Sequence, residues 1–329
     1  MVHLKIPYQL LFLALLIVWL PTAIAQPDDT ESIREFAAEM QERHGMSSQQ
    51  IEALLLSDAE YRQEIIDAIT RPAEALPWHR YRNIFLTQER IEHGVEFLNT
   101  NKAILSRAQT EFGVDPEIIT AVIGVETFYG RYRGQHRVID ALRTLGFSYP
   151  SRQDFFRREL EAFLLLSAEE GLDPAELKGS YAGAMGVSQF ISSSYRAYAV
   201  DFSNSGQRDL FSDLADAIGS VANYFAEHRW QADALVAMPA RVEGKAWREL
   251  LASDLKPRHT IASLRAAGVK FDENPADELT VRLLELEGQS ESEYWVTFEN
   301  FYTITRYNHS ALYAMAVFQL AEAIKEANQ

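Results

Sequence analysis

Apolar residues recur at helical spacing along most of the chain. From Ser32 to Arg43, Ile33, Phe36, Ala37 and Met40 fall on one face, and Gly45 stops the run. Ser47 or Ser48 caps a second helix with Ile51, Leu54 and Leu55 inward, and Glu60 to Thr70 reads as a third. Pro72 to Trp78 breaks the pattern. Thr87 then caps a long helix predicted to reach Phe112, with Ile91, Val95, Leu98 and Ile104 on its stripe. Phe155 to Glu169 is strongly helical, Asp173-Pro174 reads as a further helix start, and Ser193 to Ala199 and Leu214 to His228 are helical. After Trp230 the texture changes, and Val236 to Asn274 is patchy. Leu279 to Glu287 and Tyr294 to Phe298 read as two strands around a polar turn, before Ser310 to Ala327 returns to helix. The pattern predicts a mainly α body with a small mixed α+β insertion at about residues 232–299, and a last helix that packs back on the body.

One segment departs from ordinary amphipathicity. Gly113 to Gly134 reads GVDPEIITAVIGVETFYGRYRG, with Asp115 placed as N-cap and Pro116 at the first helical position. Ile118, Ile119, Val122 and Ile123 form its apolar stripe. Glu126 lies eight, seven, four and three residues beyond them, so it points along that stripe. A carboxylate there costs free energy unless it is paired or protonated. Arg131 and Arg133 are close enough in sequence to neutralise it; the functional alternative is a general acid kept protonated by apolar walls.

Composition narrows the chemistry. Leu10 to Leu20 is an almost unbroken apolar run, followed by Ala23-Ile24-Ala25, so residues 1–25 read as a signal peptide cleaved after Ala25, with an exported, periplasmic product. That run is short for a membrane span, so no stable membrane anchor is expected. The chain has no Cys, which excludes thiol catalysis, thiolate metal sites and disulfides. The formal charge is -16, and removing Lys5 with the leader makes it one unit more negative. Such a chain is poorly suited to nucleic acid or anionic membranes. The eight His residues are scattered, with no His-x-x-x-His pair of the zincin kind.

Three further stretches carry candidate chemistry. Lys178 to Phe190, KGSYAGAMGVSQF, combines Gly179, Gly183 and Gly186 with Ser180 and Gln189; small residues admit a ligand close to the backbone, or else a tight helix crossing. Asp201 to Ser212 resembles a twelve-residue calcium loop, with Asp201, Ser203, Ser205 and Gln207 as candidate ligands and Gly206 sixth. Ser203 and Ser205 replace acidic ligands and Ser212 stands where a bidentate Glu belongs, so only weak calcium binding is expected, against an ordered turn without metal. Phe301 to Asn308 places Tyr302, Tyr307 and Asn308 before the last helix, as a sugar-facing set or an aromatic core stripe.

Taken in order, the blocks IGVETFYGRYRG, LGFSYPSRQDFFRRELEAFLLL, LKGSYAGAMGVSQF, SSYRAYAVDFSNSG, DAIGSVANYF and FYTITRYNHSALYAMAV resemble the lytic murein transglycosylase B family of peptidoglycan-cleaving enzymes. The resemblance runs from about Pro72 to the C-terminus. It implies a lysozyme-like helical catalytic domain with a deep groove and Glu126 as the single catalytic acid/base. It implies Ser180 and Gln189 near the sugar N-acetyl group, with Tyr224, Tyr307 and Asn308 across from them. It implies peptidoglycan glycan strands as substrate, other cell-wall enzymes as candidate partners, and no required cofactor beyond a candidate structural calcium. Where relatives often carry two arginines after Tyr-Pro, this chain has Ser151 and Arg152, which leaves Arg152 to contact stem-peptide carboxylates. Members can be lipid-anchored through a Cys that this chain lacks. The competing readings are a hydrolytic muramidase, needing a second carboxylate for which Asp140 and Asp154 are available, and a non-catalytic wall-binding protein.

Overall fold

The computed structural model describes residues 28–71, 76–251 and 254–329; the leader and most of the break after Arg71 lie outside them. The predicted stripe of the first helix is the face that α1 (Thr30–His44) buries, and the helix ends on left-handed Gly45. The Ser47 hydroxyl caps α2 (Ser48–Ala53) by accepting from Gln50 N–H at 3.3 Å. Beyond a π turn at Leu54–Asp58 come α3 (Gln63–Ile69) and α4 (Trp78–Phe85).

The long helix expected after Thr87 is two. Thr87 caps α5 (Gln88–Thr100) through Arg90 N–H, as predicted, and α6 (Lys102–Phe112) follows after Asn101. The Asn101 amide donates to Phe97 O at 2.8 Å, a local bond that competes with the helical ladder. The break lets α5 and α6 take different partners.

At the centre lies α7 (Pro116–Thr127), the Glu126 helix. The sequence suggested one apolar stripe. In the fold nearly every side is covered, with Thr120 and Ala121 as fully buried as the isoleucines and Gly124 and Val125 buried beside them. A helix apolar all round belongs inside a bundle, and burying each Ile or Val there contributes about 1.5–3 kcal/mol. Asp115 occupies the N-cap position but makes no side-chain capping bond.

Strand β1 (His136–Arg137) leads into α8 (Val138–Ser148) and α9 (Gln153–Glu170). Asp173-Pro174 starts no helix: Asp173 Oδ1 accepts from Ala175 N–H, and the chain turns directly into β2 (Lys178–Gly179), antiparallel to β1. Then come α10 (Ser192–Tyr198) and α11 (Leu214–Glu227), the latter capped by Asp213.

The C-terminal part contains a five-stranded antiparallel sheet built from β3 (Ala237–Val242), β4 (His259–Thr260), β5 (Val269–Lys270), β6 (Thr280–Glu287) and β7 (Ser292–Thr297), in the order β4-β6-β7-β3-β5, with α12 (Ile261–Ala266) packed on it. Alternation along β6 explains its dense apolar run. Val281 and Leu283 enter a small core with Trp247, Ile261 and Val296, whereas Leu284 and Leu286 join the main helical core. The chain closes with α13 (Glu299–Tyr307) and α14 (Ala311–Ala327), and α14 lies along α7, α5 and α13. No helix among the described residues is long and apolar enough to cross a membrane.

Candidate active site

Glu126 ends the central helix half-buried, and α14 supplies its neighbour: the Tyr313 hydroxyl donates to Glu126 Oε1 at 2.6 Å. Ser310 caps α14 through Tyr313 N–H, which fixes the turn that presents this tyrosine. Tyr307 stacks nearly parallel to Tyr313, with centroids 6.4 Å apart and planes at 7°. Burial first, and then the charge of Glu126, raise both hydroxyls well above the usual tyrosine pKa, so they remain proton donors at any working pH.

The aromatic cluster continues away from the carboxylate. Tyr224 meets Tyr307 edge-on at 4.9 Å, and Phe190 lies 5.6 Å from each. Their hydroxyls are spent on backbone: Tyr307 donates to Ser188 O and Tyr224 to Arg306 O, both at 2.5 Å. These bonds tie α13 to the 186–190 turn and to α11, and hold the Tyr224 and Tyr307 rings in place.

In the 178–190 stretch, Gly179 and Gly186 sit where backbone meets backbone. A Cβ on Gly179 would meet Ala184 O at 2.2 Å, and one on Gly186, where φ is 72°, would meet Leu210 O at 2.4 Å. Their role is to let backbone lie on backbone, folding the loop on itself and onto the 210 segment. Within that turn Ser180 Oγ accepts from Ala182 and Ala184 N–H, leaving its proton to donate outward. Gln189, left-handed at φ 51°, donates its amide to Gly186 O and Arg133 O, and these bonds leave its side-chain carbonyl uncommitted. Thr127, next to Glu126, donates to Val187 O at 2.9 Å and joins the turn to the helix end.

Glu126, Tyr307 and Tyr224 are thus brought into one neighbourhood, and Ser180 and Gln189 belong to the turn bonded to it. Asn308 ends α13, with its carbonyl accepting from Ser310 N–H. Arg152 is exposed, and its contacts are the rings of Phe155 and Phe156, 4.3 and 5.2 Å away. The arginines expected as neutralisers turn elsewhere: Arg131 lies against His93, and Arg133 donates to Gly130 O and Phe211 O. Of the candidate second carboxylates, Asp140 is buried between Arg62 and Arg137, and Asp154 is exposed on α9. Sequence reading missed Tyr313; its signal was a tyrosine on the inward stripe of the last helix, three residues after the cap.

In the 201–212 loop, Asp201 accepts from Ser205 N–H at 2.8 Å and Gly206 N–H at 2.7 Å. Desolvation opposes its ionisation, but the Gly206, Ser205 and Asn204 N–H groups outweigh it and lower its pKa. Fully buried Asp216 cross-links the loop from below, accepting from Ser203 and Asp209 N–H. The four predicted ligands bring one carboxylate, and no group of three or more His, Cys, Asp or Glu among the described residues is arranged to hold a metal. That donor set fits a weak calcium site at most. Two hollows of about 650 and 510 Å³ lie by the sheet, away from Glu126. In the smaller, Glu293 is engaged with Trp78 and Arg82.

A buried central helix ending in one carboxylate, with tyrosines beside it in a helical body, is a lysozyme-like architecture. A family model described as a transglycosylase SLT domain matches residues 28–322, and the chain belongs to that family. It is 42% identical over 301 residues to membrane-bound lytic murein transglycosylase B of Escherichia coli (strain K12), across 88% of this chain and 82% of that protein. It is similar in structure to the soluble lytic transglycosylase SltB1 from Pseudomonas aeruginosa, with a TM-score of 0.85 and 47% identity over 90% of this chain and 99% of the other. It is also similar to the Escherichia coli lytic transglycosylase Slt35 in complex with calcium, with a TM-score of 0.82 and 42% identity over 92% and 95% of the two chains.

Proposed function

We propose that Glu126 alone serves as acid and then base in a lytic transglycosylase acting on peptidoglycan. Glu126 gives its proton to the oxygen joining N-acetylmuramic acid to N-acetylglucosamine. The bond from C1 to that oxygen breaks, and the muramyl 2-acetamido oxygen shares the positive charge at C1. The ionised Glu126 takes the proton of the same sugar's C6 hydroxyl, whose oxygen closes on C1. The product is a 1,6-anhydromuramyl end, no water is consumed, and Glu126 regains its proton.

The observation that carries this reading is the Tyr313 hydroxyl on Glu126 Oε1. A donor at Oε1 leaves the acid proton on Oε2, and the same donor steadies the carboxylate once that proton has gone. Ser180 and Gln189 would meet the acetamido group and sugar hydroxyls, Tyr224, Tyr307 and Asn308 would wall the groove, and Arg152 would meet a stem-peptide carboxylate. The engagement of Asp140 with arginines and the exposure of Asp154 argue against a water-activating partner of the muramidase kind. The setting proposed is the periplasm after removal of residues 1–25. Residues 26–329 form the catalytic unit, and the Asp201 loop is a weak calcium site outside the chemistry.

Glu126→Gln keeps the shape and hydrogen-bonding capacity of the side chain without its acidity. It should melt like the parent and lose cleavage of purified sacculi by about a thousandfold. Retained turnover would remove Glu126 from its role.

A further inference from the structure

The segment 131–135 is an exposed run beginning five residues after Glu126. At its head stands Tyr132, 72% exposed, the most open large hydrophobic residue among those described. It is mounted rather than loose. Its N–H donates to Thr127 O at 2.9 Å, and its ring rests 5.9 Å from that of Phe128. Phe128 is itself nearly buried in a left-handed turn, with the Arg131 guanidinium over it at 5.4 Å. On the other side Arg133 is clamped to Gly130 O and Phe211 O, while its own carbonyl receives the Gln189 amide. The whole run is therefore bonded to the helix end that carries Glu126 and to the turn that carries Gln189.

The charges around it are unusual for so acidic a chain. Neither Arg131 nor Arg133 forms an ion pair among the described residues: one guanidinium faces the His93 ring and the other faces carbonyls. Glu89 and Glu96 are turned to His93, and Asp209 feels Arg133 without pairing to it. Two cations without paired acids flank an open aromatic ring beside the acid/base. That is the chemistry of a sugar carrying a carboxylate: the ring offers a flat apolar face and the arginines offer donors. A protein of net charge -16 can hold an acidic polymer only through local contacts of this kind.

We propose that Tyr132, with Arg131 and Arg133, forms an accessory subsite on the rim beside Glu126 that stacks a sugar ring of the glycan strand and holds a stem-peptide carboxylate next to it. The proposal rests on the transglycosylase reading above. The test uses the whole protein with two pairs of substrates: long against minimal glycan strands, and peptide-bearing against peptide-free strands. Tyr132→Ala should raise KM on long strands about tenfold with kcat nearly unchanged, and leave minimal strands alone; Tyr132→Trp should restore KM. Arg131→Gln with Arg133→Gln should raise KM on peptide-bearing strands only. Melting midpoints of the Tyr132 variants should match the parent, since that ring is exposed, and the arginine variant is compared at a temperature well below its own midpoint. Unchanged KM on long strands, or an equal fall of kcat on long and minimal strands, would overturn the subsite. Absence of anhydro products from the parent protein would instead overturn the underlying reading.

Discussion

At the scale of single residues, the proposed chemistry turns on the bond from the Tyr313 hydroxyl to Glu126 Oε1. Tyr313 was not legible as a partner of Glu126, because periodicity reveals which face a residue takes and not which helix will lie opposite. Glu126 itself stood out, since a carboxylate ending an apolar stripe conflicts with the pattern around it. Removing the Tyr313 hydroxyl should cost the bond to a group that the proposed cycle leaves ionised after its first step. Tyr313→Phe is expected to fold normally and lower kcat about 10–100-fold with little change in KM, the value of one hydrogen bond to a charged group, measurable by steady-state release of soluble products. His228 gives a second prediction. Burial lowers its pKa below 6.5, against the opposing effect of its bond to Tyr224 O, and its ring stacks on Tyr224 at 4.1 Å. The unfolded chain therefore binds the proton more tightly. The stability that neutral His228 contributes is complete above pH 6.5 and drains away as pH falls through the lower folded value. Thermal melts from about pH 8 to 5 should show that decline, and His228→Gln should flatten it.

At the scale of elements, the caps were the most readable features. Ser47 and Thr87 each accept the N–H that their position predicts, Asp115 holds its N-cap position without a side-chain bond, and the β6–β7 hairpin follows its alternation. The misses share a cause in competing local bonds. Asn101 interrupts a continuous apolar stripe by bonding its own turn, and Asp173 closes a turn where a helix start was expected. The glycine-rich stretch was legible only as a place of close approach, since small residues do not say what approaches. The Asp201 loop was read by its ligand positions, yet Asp216, outside the motif, joins its two limbs. Asp216→Ala would strand two backbone N–H groups and should cost about 2–4 kcal/mol in urea unfolding. Added calcium should not restore it, because the bonds lost are the carboxylate's own; full rescue by calcium would show that the cation, and not Asp216, holds the loop.

At the scale of the molecule, the mainly helical class was written in the 3.6-residue period, and the functional class in several motif blocks at once. The way the parts come together was not. The two faces of β6 serve two cores, and α14 reaches back across the body to complete a site begun nearly two hundred residues earlier, with Tyr313 and Glu126 separated by 187 positions. Such long-range closure depends on packing that no local window contains. What it yields is one carboxyl bonded by the Tyr313 hydroxyl, with Asp140 engaged by arginines and Asp154 exposed. That arrangement suits a reaction in which the substrate supplies its own nucleophile, and this is the central claim. The measurement that meets it most directly is mass spectrometry of the muropeptides released from purified sacculi. The account predicts 1,6-anhydromuramyl ends as the main product, lighter by one water than reducing ends; reducing, water-added ends as the main product would contradict it.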